Sequence, residues 1–189
     1  AFASSLQAMG RNSDALNVLE NTVQHAPKDP SLLSAYGRAI LRAGRPSDAL
    51  PVLEQARKAG EISSALYSAR GAALDQLSRH DEARQSYREA LAVKPNDPAT
   101  LANLGLSYAL SKDLKNAEAV LRTAAAQPGA TAQVRQNLAL VLGLQGRFEE
   151  AEKISRQDLP AGQAKADTAY LKQMVSQPNS WQKLKAIDG

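Results

Sequence analysis

Gly37, Gly71 and Gly105 stand 34 residues apart, and Ala139 continues the series. A second series at the same spacing runs through Ala15, Ala49, Ala83, Ala117 and Ala151, and a third through Ala56, Ala90 and Ala124. Asp29-Pro30 and Asp97-Pro98 lie 68 residues apart, two of the same periods. Several registers agreeing on one period mark a chain built by repetition, in which each unit buries its apolar face against its neighbours. Small residues recurring at fixed points mark close backbone approaches, which antiparallel helices need where they cross. Apolar residues make up 43% of the chain but aromatics only 4%, so the core rests on Ala and Leu, strong helix formers. The fold class is therefore all-α.

The period divides the chain into an incomplete unit at 1–29 and complete units at 30–63, 64–97, 98–131 and 132–165. Each is expected to be helix, short turn, helix. Asp29 and Asp97 can cap the helices that follow them, and Pro30 and Pro98 suit a first helical position, where no donor is needed. Gly10, Gly44 and Gly146 fall in the turn between helices, where Ser78 and Lys112 replace them. In the last unit Arg135 takes an aromatic position, and the second helix is expected to stop by Pro160. A further amphipathic helix over about 163–175 would cap the apolar end of the stack, with Trp181 of the tail 176–189 folding back onto it. Ala1 falls inside a first helix, so residues upstream of it are expected.

The unit Ser64–Asp97 carries Tyr67, Gly71, Leu74, Ala83, Tyr87, Ala90 and Pro95 in the order of a known repeat. In these positions the chain resembles the tetratricopeptide-repeat (TPR) family across most of its length. That resemblance implies a right-handed solenoid of antiparallel helix pairs that acts by binding protein or peptide partners.

Catalytic chemistry finds no footing in the residues. There is no cysteine and only two histidines, His25 and His80, so no metal set is predicted and no cofactor. No phosphate-binding or nucleophile-elbow motif occurs. The net charge of +4 is spread evenly, which argues against nucleic acid. No apolar run approaches the roughly 20 residues of a membrane span. The reading is a non-enzymatic scaffold.

The concave face of such an array is lined by first helices. The predicted peptide-binding residues are Arg38, Arg42, Asn103, Leu106, Leu110, Gln136, Asn137, Leu140 and Leu144. The polar lining of units 30–63 and 64–97 also takes in Ser34, Ser68 and Asp75, and Ala102 stands beside Asn103. Asn103 and Asn137 hold the same position in consecutive units, where side-chain amides can pair with an extended backbone. The clamp that co-chaperones of this family use for a terminal carboxylate is missing, because its cationic positions hold Ser34, Ala99 and Asn103 in one window and Ser68, Gln133 and Asn137 in the next.

The ending carries Asp158-Leu159-Pro160, Tyr170-Leu171 and Trp181. These landmarks resemble those of the TadD family, the TPR proteins of tight-adherence (Flp) pilus assembly. The resemblance implies a periplasmic lipoprotein, held at the outer membrane through a cysteine upstream of Ala1, that helps the pilus secretin localise or assemble. The alternative is a cytoplasmic peptide-binding TPR adaptor.

Overall fold

The computed structural model describes Ser5 and residues 9–176, so the tail beyond Ser176, Trp181 included, lies outside the described residues. The chain forms two compact units, Ala1–Pro95 and Asn96–Gly189. The first holds α1 (Asn12–His25), α2 (Pro30–Arg42), α3 (Pro46–Lys58), α4 (Ser64–Gln76) and α5 (His80–Val93). The second holds α6 (Pro98–Leu110), α7 (Leu114–Ala125), α8 (Ala132–Leu144), α9 (Phe148–Ser155) and α10 (Ala161–Val175). Among the described residues there is no strand. The first helices begin at Pro30, Ser64, Pro98 and Ala132 and the second at Pro46, His80, Leu114 and Phe148, so each start repeats with the sequence period.

Caps set these starts. Asp29 accepts from the Leu32 amide at 2.9 Å, Ser63 from Leu66 at 3.3 Å and Asp97 from Thr100 at 3.0 Å, each relieving an N–H that the helix leaves unpaired. Second helices begin differently. Arg11 pairs with Asp14, Arg45 with Asp48, Arg79 with Glu82 and Arg147 with Glu150, all three residues apart and one period from unit to unit. At the one place where the series breaks, Asp113 takes the arginine position and caps the Asn116 amide itself. The acids also sit in a first turn, where the helix dipole favours them. These pairs are exposed, and each adds little to stability.

The turn between paired helices requires a left-handed residue. Gly44 and Gly146 have φ of 72° and 80°, while Ser78 and Lys112 adopt 60° and 65° in the same register. The following amide then bonds back to the helix end, as Arg79 does to Leu74 at 2.8 Å and Arg147 to Leu142 at 2.9 Å. A side chain makes this conformation costly.

The helix crossings bury the core. A Cβ on Gly37 would meet Leu53 at 2.8 Å, one on Gly71 the Tyr87 ring at 2.5 Å, and one on Gly105 the Leu121 side chain at 2.6 Å. Tyr87 is fully enclosed, and its hydroxyl donates to Asp75 at 3.1 Å. Burial, then the Asp75 charge, pushes that hydroxyl far above its ordinary range. Asp75 also bonds His80 Nδ1 at 2.8 Å. It therefore serves the interior of its hairpin and not the groove to which the sequence reading sends it. Ser34 and Ala102 are likewise buried in the packing.

Two outcomes test this. Gly71→Ala is expected to lower stability by about 1–3 kcal/mol in urea melts, because the Tyr87 ring must move. Ser78→Gly is expected to raise it by about 0.5–1 kcal/mol, because glycine meets no Cβ penalty at φ of 60°.

Candidate peptide-binding surface

The end of the second unit departs from the repeat, and one pair of side chains organises the departure. Arg135, standing where other units have an aromatic, reaches Asp158 with two parallel bonds. Nε donates to Oδ2 at 2.7 Å and Nη2 to Oδ1 at 2.6 Å, while Nη1 donates to the Ala130 carbonyl at 3.0 Å. The hydrogen bonds from Arg135, ahead of its charge, hold the Asp158 carboxyl below the usual carboxylate range. This fork fixes the turn after α9, which ends at Ser155, eight residues from its start. Pro160 then supplies the extended residue from which α10 begins.

Placed so early, α10 packs on both α8 and α9. Leu171 occupies the space beside Gly143, where a Cβ would collide with it, and Lys172 Nζ lies 5.8 Å from the centre of the Phe148 ring. Between α8, α9 and α10 an open, largely apolar cleft of about 490 Å³ remains. Gln136 and Leu140 of α8 line one side, and Leu159, Asp167, Tyr170 and Met174 contribute much of the rest. Tyr170 is 60% exposed, unusual for a large apolar side chain in a packed helix.

Of the predicted site residues, the cleft takes in Gln136 and Leu140. Leu106, Leu110 and Leu144 are half-buried on α6 and α8. Asn103 is half-buried too, but Asn137 is only 9% exposed and its Oδ1 accepts from Gln133 Nε2 at 3.0 Å. The two amides thus stand in different surroundings. In the first unit, Arg38 is half-buried and Arg42 exposed on successive turns of α2. Tyr170 and Met174 are missing from the predicted set, although each lies one period beyond Gln136 and Leu140. Carrying the register one step further finds them. Among the described residues no three His, Cys, Asp or Glu side chains cluster as a metal site would need.

Tetratricopeptide-repeat models match residues 1–64, 39–98 and 68–131, and another matches 131–160. The chain belongs to the tetratricopeptide-repeat family. Its helix pairs are TPR hairpins, and proteins of this family are generally non-enzymatic scaffolds that bind protein or peptide partners. A comparison with curated protein sequences finds no match. Solved structures share the all-helical solenoid fold. A thermophilic TPR protein of Thermus thermophilus is 24% identical with a TM-score of 0.75, over 90% of this chain and 95% of that one. PilF of Pseudomonas aeruginosa is 15% identical with a TM-score of 0.71, over 98% and 94%. YrrB, a TPR protein with an unusual peptide-binding site, is 18% identical with a TM-score of 0.64, over 87% and 89%. At these identities the likeness is one of fold.

In this TPR chain the Arg135–Asp158 fork is expected to couple the anchoring of the last helix to pH. A carboxyl with a depressed folded pKa adds stability above its ordinary value of 3.8, and that stability is lost as pH falls through the folded value. Asp158→Asn is expected to reduce hydrogen-exchange protection of α10 at neutral pH. Acidification below about pH 4 should bring the parent chain toward the variant while changing the variant less.

Proposed function

We propose that the chain is a scaffold for tight-adherence (Flp) pilus assembly, holding an extended segment of the pilus secretin or of another pilus component. One observation supports this reading above others. Trp181 aside, which lies outside the described residues, the residues that make the ending resemble the TadD family help to build the cleft. Asp158 holds the turn through Arg135, Pro160 starts α10, and Leu159, Tyr170 and Leu171 line the space. A resemblance carried only by packing residues would say less, because packing is shared by every TPR protein. Tyr170 is exposed instead of buried, and an exposed aromatic at the rim of an apolar cleft is a common anchor for a partner.

The segment would lie along the second unit, its apolar side chains against Leu106, Leu110, Leu140 and Leu144. Its backbone would pair with the amides of Asn103, Gln136 and Asn137. The Asn137 Oδ1 is already engaged by Gln133, so its amide hydrogens are the part left for a ligand. Among the described residues no helix is long and apolar enough to cross a membrane. In this reading the protein works in the periplasm, anchored at the outer membrane by a lipid on a cysteine upstream of Ala1. Intact-mass measurement of the native protein from fractionated cells checks that part.

A photo-crosslinking residue placed at Tyr170 in living source cells tests the partner. The expected product is an adduct with the secretin, lost when Leu140→Ser accompanies it. Adducts confined to cytoplasmic proteins would replace the pilus reading with a peptide-binding adaptor. Tyr170→Ala is expected to weaken the captured complex about tenfold or more with helicity unchanged, as removal of an exposed anchor does.

A further inference from the structure

The first unit carries a pair of arginines that find no partner among the described residues. Arg11, Arg45, Arg57, Arg70, Arg79 and Arg84 each pair with a carboxylate, as do Arg122, Arg135, Arg147 and Arg156 in the second unit. Arg88 has a partner as well. Among the described residues Arg38 and Arg42 have no hydrogen bond or ion pair, and the Arg38 Nε is buried without an acceptor. A buried donor left unpaired costs stability, and a second like charge one helical turn away adds to the cost. Desolvation, then the charge of Arg38, pulls the Arg42 guanidinium below its ordinary range.

Neither α2 nor α4 supplies a carboxylate to the pair. Helix α2 contains no acidic residue. The one acid of α4, Asp75, is committed to His80 and Tyr87. One period on from Arg38 and Arg42, α4 carries Ala72 and Gln76, so the pair of cations is not repeated in the next hairpin. Arginine presents a rigid fork suited to a carboxylate, and two forks one turn apart suit acidic side chains spaced along an extended strand.

From this we infer that Arg38 and Arg42 form a docking subsite, within the first unit, for acidic side chains of an extended peptide segment. The subsite rests on the reading that an extended segment is bound, but not on that segment's coming from a pilus. It differs from the terminal-carboxylate clamp, which needs cations on several helices that this chain lacks. Recognition is of Glu or Asp within a peptide, and charge pairing fixes that peptide's register on the first unit.

Two ten-residue peptides provide the test, one alternating Leu and Glu and a twin alternating Leu and Gln, measured by fluorescence anisotropy at low salt. The parent chain is expected to bind the Glu peptide about tenfold or more tightly than its twin, with the preference shrinking as salt rises. Arg38→Gln with Arg42→Gln should abolish the preference, Arg38→Lys should weaken it, and Arg57→Gln should leave it intact. The double variant should melt no lower than the parent, because it removes an unpaired buried donor. Equal binding of the twins, no binding of either, or a preference that survives the double substitution overturns the inference. Loss of the secretin adduct alongside an intact Glu preference would remove the pilus and keep the subsite.

Discussion

Three places where nothing larger than hydrogen fits govern this molecule. At Gly37, Gly71 and Gly105 a helix is overlain by a large side chain of its partner, Leu53, Tyr87 or Leu121, closer than any Cβ would permit. The contact fixes how near the two helices come, and with that distance set, Ala49, Ala83 and Ala117 are completely enclosed. Alanine and leucine suffice for the core because the spacing is small enough for them to fill it. In the last hairpin the same register holds Ala139, and the glycine has moved to Gly143, where the overlying side chain is Leu171 of α10. One displaced glycine thus converts a repeat contact into the seat of a closing helix and opens the cleft beside it.

Electrostatics follow the same period but decide less. The arginine–acid pairs at the start of second helices are exposed, and their role is to tidy a helix end. Among the described residues four arginines also bond across elements, Arg122 of α7 reaching Glu150 of α9 at 3.3 Å. Arg70 bridges Glu54 of α3 and Ser86 of α5, and Arg147 reaches Glu118 of α7 as well as its own Glu150. Arg135 reaches Asp158 across the last turn. Placing so many guanidiniums against carboxylates leaves Arg38 and Arg42 conspicuous by contrast.

Periodicity made much of the fold legible. The starts of the helices, the capping aspartates and the left-handed turns at Ser78 and Lys112 all follow from register, since the same backbone recurs every 34 residues. The candidate surface was readable only in part. Asn137 looks like Asn103 in sequence, but Gln133, one turn earlier in α8, donates to its side-chain carbonyl. Asp75 reads as a groove residue until His80 and Tyr87 are seen to hold it. The Arg135–Asp158 fork joins residues 23 apart with no local pattern to announce it, and an arginine at an aromatic position was its sole trace. The burial of Arg38 Nε depends on neighbours that no spacing rule names.

The eight-residue α9 carries a consequence for how such a chain can change length. Ahead of Ala132, a gene that gains or loses one whole period meets the same crossing again, with its glycine and its overlying side chain in phase. Behind it the phase is broken. Any added repeat would arrive to find its place taken by Leu171 and the approach shut by the Asp158 turn. Growth by duplication is therefore open on one side and closed on the other, so descendants of this chain could differ in the length of their repeat tract while keeping an identical terminus.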